Sequence, residues 1–301
     1  MNWSSDTNIS LIYRLMKIKG YGPAQTNRML WKLRPQMEVS DDVEDLIMRN
    51  LPVSDKDSFN TGYELYSSMR YAISYMSVLD ELYPKVLLET LAQNTPPVLA
   101  CIGNKELLKK KKIAYSGSRK VSEKGIWITN DSISQLEADD VCIVAGYAQG
   151  VDLTAHRQAL KSGMSTIMVL PEGIKYFSIK KELEDVWDWN RVLILSEFLP
   201  EDKWLAGRAM KRNQTLIGMS DAVVVVEAGE TGGSFDAGVK SIEMQKCLYV
   251  PQYAVAPESA LGNATLIRRG AKPLTRDGAT QRTNMRQLML AIANRQSCTL
   301  F

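Results

Sequence analysis

Four consecutive valines, Val223-Val224-Val225-Val226, constrain this chain more than any other feature. A strand with one wet face alternates apolar and polar residues. A strand apolar at every position must be covered on both faces, as in the middle of a parallel sheet. Similar short runs recur at Val98–Ile102, Ile113–Tyr115, Val141–Ala145, Thr166–Leu170, Val192–Leu195 and Leu248–Val250. Helical stretches such as Val151–Lys161 and Phe235–Gln245 separate them. Strand and helix alternating over about 170 residues predict an α/β fold with a doubly wound, mostly parallel sheet.

The region before this alternation has a different texture. Ile9, Ile12, Leu15 and Met16 share one helical face, and Lys19-Gly20-Tyr21-Gly22-Pro23 breaks that helix. Helices are expected across Asn8 to about Tyr75, including one over Ala24 to about Leu33 and one over Asp41–Arg49. The domain expectation is therefore a small all-helical unit over 1–79, resembling SAM or helix-hairpin-helix modules, an α/β domain over 80–275, and a C-terminal tail over 276–301. In that tail the polar stretch Asp277–Arg286 reads as a linker before a short amphipathic end.

Composition excludes several classes. Thirty-seven basic against thirty-four acidic residues give +3, too little to announce a polyanion partner except through local clusters. The N-terminus lacks the pattern of a secretory signal, and no run approaches the roughly 20 apolar residues of a membrane span. Cys101, Cys142, Cys247 and Cys298 lie far apart, and the chain has one histidine. No metal site is expected, and the expected compartment is a reducing cytoplasm.

Ligands of open α/β sheets bind where strand ends lead into helices. Four strand ends here carry loops of small residues: Ser116-Gly117-Ser118-Arg119, Gly146 to Asp152 with Gly150 before the helix, Pro171-Glu172-Gly173-Ile174-Lys175, and Ala228 to Ser234 with Gly232, Gly233 and Ser234. Such loops let backbone N–H groups approach an anion, and helix N-termini add partial positive charge. Arg119, Lys175, Lys211 and Arg212 supply full charges close by in sequence. Phosphate is the natural ligand for this set. The stretch Lys203–Arg212 adds four cations without an acid, whereas Lys109–Lys112 precedes a strand with no glycine loop and reads as plain surface. Neither a G-x-G-x-x-G after a strand nor a G-x-x-x-x-G-K-[ST] occurs, so no nucleotide cofactor is expected. His156 has no second histidine to work with and reads as a structural hydrogen-bonding residue. No nucleophile–base set can be assembled, so no catalytic residue is expected.

Taken in order, these loops resemble the DprA/Smf family of DNA-processing proteins. The resemblance rests on Gly117-Ser118-Arg119, Ala145 to His156, Gly173-Ile174-Lys175-Tyr176-Phe177, Ser196-Glu197-Phe198-Leu199-Pro200, Arg212 to Ser220, Val225-Val226-Glu227-Ala228 with Gly232-Gly233-Ser234, and Gly262-Asn263 with Leu266 to Ala271. It runs from Tyr83-Pro84 to about Leu274. Gln214 stands where the family has arginine, Gly232 where it has serine, and Asp236-Ala237 where it has Thr-Ala, which marks a divergent member with one charge fewer in its pocket.

The resemblance implies a Rossmann-like domain that binds single-stranded DNA, forms a homodimer and helps load a RecA-type recombinase in natural transformation or recombination. It implies that Gly117, Ser118, Arg119, Lys175, Arg212, Asn213, Gly233 and Ser234 line the DNA phosphate site. No C-terminal winged-helix-like domain is expected. The competing expectation is a nucleotide-binding sensor, or a nucleoside-monophosphate phosphoribohydrolase-like protein of the same broad fold group. Glu230-Thr231-Gly232-Gly233-Ser234 shares only the centre of the hydrolases' P-G-G-x-G-T-x-x-E motif.

Overall fold

The computed structural model of the chain describes residues 2–136 and 140–294, so Cys298 and the end of the expected tail lie outside the described residues. The chain divides into two compact units. One comprises Met1–Ile102 with Glu172–Tyr176 and Leu195–Lys203. The other comprises Gly103–Pro171 with Phe177–Ile194 and Trp204–Phe301.

The first unit opens with four helices, α1 (Asp6–Lys17), α2 (Pro23–Met37), α3 (Val43–Asn50) and α4 (Val53–Asn60). Local chemistry explains their starts. Ser5 caps α1 by accepting from the Asn8 N–H, Pro23 opens α2 where no intrahelical donor is needed, and Asp42 caps α3 by accepting from the Asp45 N–H at 2.9 Å. Ile9, Ile12, Leu15, Leu30, Leu33, Ile47 and Phe59 make the buried core. Arg14 is buried with them, because its guanidinium donates to the Phe59 carbonyl and the Glu44 carboxylate, each at 2.7 Å, and lies 4.2 Å from the Phe59 ring centroid. That cation ties α1, α3 and α4 together.

Helix does not continue to Tyr75, as the sequence expectation had it. Strand β1 (Ile73–Ser77) pairs antiparallel with β2 (Val98–Gly103), from Ile73 opposite Ile102 to Ser77 opposite Val98, and α5 (Lys85–Leu91) lies between them in sequence. The pairing partner, 25 residues away along the chain, overrides the weak local signal of Ile-Ser-Tyr-Met-Ser. This unit therefore runs past residue 79, to Ile102.

The second unit contains β3 (Lys111–Ser116), α6 (Glu123–Ser134), β4 (Val141–Ala145), α7 (Val151–Lys161), β5 (Ser165–Val169), β6 (Val192–Ser196, whose last two residues count with the first unit), α8 (Ala206–Gly218), β7 (Ala222–Val225), α9 (Gly233–Glu243), β8 (Cys247–Pro251), α10 (Asn263–Arg268), β9 (Lys272–Leu274) and α11 (Arg286–Asn294). Its strands lie in the order β6-β5-β4-β3-β7-β8-β9. The pairs β3·β4, β4·β5, β3·β7, β7·β8 and β8·β9 are all parallel, giving the mostly parallel Rossmann-like α/β fold the sequence predicts. Every residue of β4, β5 and β7 is buried. From β3 the chain winds outward through β4, β5 and β6, then returns to the other side of β3 with β7. That reversal between β3 and β7 is the switch point where such sheets open a crevice.

Tyr115, Ile143, Val224 and Tyr249 on one sheet face pack with Ile128 and Ile133 of α6, Val151 and Ala155 of α7, and Leu288 and Ile292 of α11. The segment expected as a tail after 275 thus returns to the core through α11. Cys101 and Cys142 are buried, and burial pushes the Cys142 thiol up to about 12. No helix among the described residues is long and apolar enough to cross a membrane.

Candidate nucleic-acid interface

Two backbone devices shape the carboxyl ends of β3 and β7. The Ser118 N–H donates to the Glu227 carbonyl at 2.8 Å, and the Val151 N–H donates to the Ser118 carbonyl at 3.2 Å. The Gly117-Ser118-Arg119 loop is thereby clamped between the end of β7 and the start of α7. Space is the reason for glycine at 117, since a Cβ there would press on the Val151 side chain. Gly150 precedes α7 with φ +82°, and a Cβ there would run into the Ser118 carbonyl and the Arg119 backbone. Gly232 precedes α9 with φ +96°, a left-handed conformation that favours glycine. No side chain caps α9, so the N–H groups of its first turn are open to an anion. Asp236, in that same first turn, has its carboxyl raised by burial.

Glu227 fixes the other side of the β7 end. Its buried carboxylate accepts from the Ser122 N–H at 3.0 Å, the Ser122 hydroxyl, the Tyr253 hydroxyl at 3.0 Å and the Ser259 hydroxyl at 2.6 Å. Asn263 adds a second brace, accepting from the Ala228 N–H at 2.9 Å while donating to the Val226 and Pro251 carbonyls. Four separate segments therefore hold one loop cluster still.

The result is a cleft of about 890 Å³ at the switch point. Its lining includes eight residues read from the sequence as phosphate ligands: Gly117, Ser118, Arg119, Arg212, Asn213, Gly232, Gly233 and Ser234. Arg119 is exposed, and its guanidinium carbon lies 5.6 Å from the centroid of the Trp204 ring, itself 44% exposed. Asn213 donates to the Gly233 carbonyl at 3.2 Å and so couples α8 to the start of α9.

Arg212 behaves differently from Arg119. It is only 6% exposed and donates to the Val169 carbonyl at 2.8 Å. Asp152 is buried close by, since a Cβ on Gly146 would meet both the Arg212 guanidinium and an Asp152 carboxylate oxygen. Burial raises the Asp152 carboxyl, while Arg212 and the Ala148 N–H draw it back down. Arg212 is part of the cleft's floor, with much of its charge spent inside the protein.

Gly150, Lys175 and Lys211 do not line the cleft. Gly150 sits behind the Ser118-Arg119 backbone. Lys175 falls in the first unit, where its N–H donates to the Pro200 carbonyl at 3.4 Å and its ammonium lies 5.8 Å from the Tyr66 ring centroid. Lys211 lies on α8, half-buried. Lining residues that sequence reasoning missed include Lys120, Trp204, Met210 and Ser259. The signal for Trp204 was present in Lys203–Arg212, whose cations are interleaved with an aromatic side chain.

His156 is a structural residue, as its sequence context suggests. Its Nε2 faces the Gly146 carbonyl at 2.6 Å and its Nδ1 faces the Thr166 hydroxyl at 2.7 Å. A carbonyl only accepts, so Nε2 carries the proton. Burial pushes the imidazole down to about 4, which leaves the ring neutral at pH 7.

A mostly parallel sheet with its crevice at the switch point, and glycine loops on the strand ends around it, defines a Rossmann-like protein. Residues 74–283 match the family model for DNA recombination-mediator protein A, and the chain belongs to that family of DNA-processing proteins. The chain is 34% identical over 201 residues to the DNA processing protein DprA of Streptococcus pneumoniae, covering 66% of this chain and 70% of the relative. It is 26% identical over 254 residues to DprA of Bacillus subtilis, covering 81% and 84%. The X-ray structure of the Streptococcus pneumoniae protein superposes with a TM-score of 0.72 at 26% identity, covering 90% of this chain and 94% of that one. A DprA structure from Helicobacter pylori, described for its single-stranded DNA binding mode, gives 0.57 at 26% identity, covering 67% and 91%.

Proposed function

We propose that the cleft binds the backbone of single-stranded DNA and performs no covalent chemistry on it. The observation that carries this reading is the pairing of the open α9 N-terminus with Arg119 lying over Trp204 on one cleft. Backbone N–H groups and a guanidinium suit phosphates, and an exposed tryptophan offers a face on which any unpaired base can stack. Nothing in that set reads base edges, so the preference is for single strands of any sequence. The DNA binding described for the Helicobacter pylori relative supports the same assignment. Within this reading the protein acts in the cytoplasm as a homodimer and hands its strand to a RecA-type recombinase during DNA uptake or recombination, as the family resemblance implies.

Fluorescence anisotropy with labelled oligo-dT and a duplex of equal length tests it. The single strand should bind more tightly, and its affinity should fall tenfold or more between roughly 50 and 200 mM salt as condensed counterions cease to be released favourably. No binding, or binding indifferent to salt, defeats the proposal. Sedimentation of the free protein and recombinase filament assembly on the bound strand test the two partners.

A further inference from the structure

A second cavity lies on the first unit and shares no residue with the cleft. It measures about 360 Å³ and is lined by Asn27, Arg28 and Trp31 of α2 with Leu88, Ala92 and Gln93. Three features of it point to one kind of ligand.

Trp31 is 41% exposed although Leu30, Leu33 and Met37 of the same helix are buried. The Arg34 guanidinium lies 5.3 Å from its ring centroid and bonds Glu38, which holds the indole in place. A flat aromatic face at the mouth of a cavity suits a flat partner. Helix α2 also carries Arg28, Lys32 and Arg34 with no acidic residue between Pro23 and Met37. Arg28 is exposed, and among the described residues its guanidinium bonds only the neutral Gln25 amide, at 3.3 Å, which leaves its charge to an anion. Finally, Asn27 is 1% exposed, and its Nδ2 donates to the Gln93 and Thr95 carbonyls at 3.0 and 2.8 Å. Those two bonds fix the amide's orientation, and its Oδ1 has no donor among the described residues. A buried acceptor left without a donor is one that a ligand bringing an N–H would satisfy.

We infer that this cavity is a nucleotide-binding site, with a base on Trp31, an N–H of that base toward Asn27 and a phosphate on Arg28. The same chemistry is offered by a nucleotide within a single DNA strand and by a free mononucleotide. The site stands independently of the cleft's function.

Photocrosslinking tests it with two probes on the full chain: an oligodeoxynucleotide carrying 5-iododeoxyuridine, and 5-iododeoxyuridine monophosphate. Both carry the N3–H donor, and mass spectrometry locates the adducts. An adduct is expected at Trp31, reduced roughly fivefold or more by Arg28→Glu, the effect of losing one charge-assisted contact. The Trp204 adduct should persist in that variant. An adduct from the oligonucleotide alone assigns a strand as ligand, and one from the monophosphate assigns a free nucleotide; either supports the site. No adduct at Trp31 from either probe, or one indifferent to Arg28→Glu, overturns it. Loss of the Trp204 adduct from the unaltered protein would count instead against the cleft.

Discussion

The Arg119 guanidinium rests over the Trp204 ring, 5.6 Å from its centroid, so the charge and the aromatic face of the cleft form one unit. Substituting either partner should weaken DNA binding without unfolding the protein, because both side chains are substantially exposed. Arg119→Ala should cost about 1–3 kcal/mol of binding and lower the log–log salt slope by about one. Trp204→Ala should cost a similar amount, about 1–3 kcal/mol, while leaving the slope unchanged, since stacking releases no counterions. Lys110 pairs with Asp140 at 2.6 Å in the run that reads as surface, and Lys110→Ala is the control. If Lys110→Ala weakens binding as much as Arg119→Ala, attraction is diffuse and the cleft is not the site.

Arg212 calls for a different expectation, although in sequence it looks like a second surface arginine. It is buried beside Asp152, so Arg212→Ala should strip a buried carboxylate of its main opposing charge. Breaking such an arrangement typically costs about 3–5 kcal/mol. The loss should be smaller in an Asp152→Asn background, where no charge is left stranded, and a double-mutant cycle by urea unfolding measures the difference. The pH dependence has a definite sign. Without Arg212 the Asp152 carboxyl rises further, so the variant's deficit should be largest near neutrality and shrink as acid protonates that carboxyl. Equal losses in both backgrounds would show that Asp152 and Arg212 are not coupled.

Legibility followed the range of the forces involved. The buried strands and the loops at 117–119 and 232–234 were readable because apolar runs and glycine turns are local signals. Lys175 was not. It follows a strand and a glycine, but Gly173 donates to the Asp202 carbonyl at 2.7 Å, and the segment joins the first unit through residues 195–203. Glu227 looks like an ordinary strand-end acid until Ser122, Tyr253 and Ser259 converge on it from segments up to 105 residues away. Trp204 is visible as the aromatic residue of the cationic Lys203–Arg212 stretch, but only the fold brings it to Arg119. Leu288 and Ile292 were too short an amphipathic pattern to announce a helix returning to the core.

Gly150 separates backbone strain from steric conflict. Gly150→Ala would put a Cβ at φ +82° and against the Ser118 carbonyl and Arg119 backbone. Gly163, at φ +76° with open space around it, supplies strain alone. Gly163→Ala should cost on the order of 1 kcal/mol of stability and leave DNA affinity intact. Gly150→Ala should cost more, with strain of about 1–3 kcal/mol plus the conflict, and should also displace Arg119. Thermal unfolding and anisotropy on both variants check this, and unchanged DNA affinity in Gly150→Ala would show that the clamp does not position Arg119.

His156 offers the cleanest measurement, because it is the only histidine in the chain and its ring resonances need no assignment. Burial lowers its pKa from 6.5 to about 4. Its proton NMR signals should therefore stay fixed from pH 8 to about pH 5.5, where an exposed imidazole would titrate. The consequence for stability follows from linkage. Above pH 6.5 the ring is neutral in both folded and unfolded states, and its full contribution is present. As pH falls from 6.5 toward 4, only the unfolded state takes up the proton, and stability is progressively lost. At 1.36 kcal/mol per pH unit the full loss is roughly 3 kcal/mol. His156→Gln should begin less stable at pH 7.5, since the bonds to Gly146 and Thr166 are disturbed, but should lose less on acidification than the unaltered protein. Urea unfolding of both at pH 7.5, 5.5 and 4.5 gives that difference, which also removes the carboxylates common to the two. Titration of the ring near pH 6.5 in the folded protein would mean that this imidazole is open to water and does not brace the Gly146 loop.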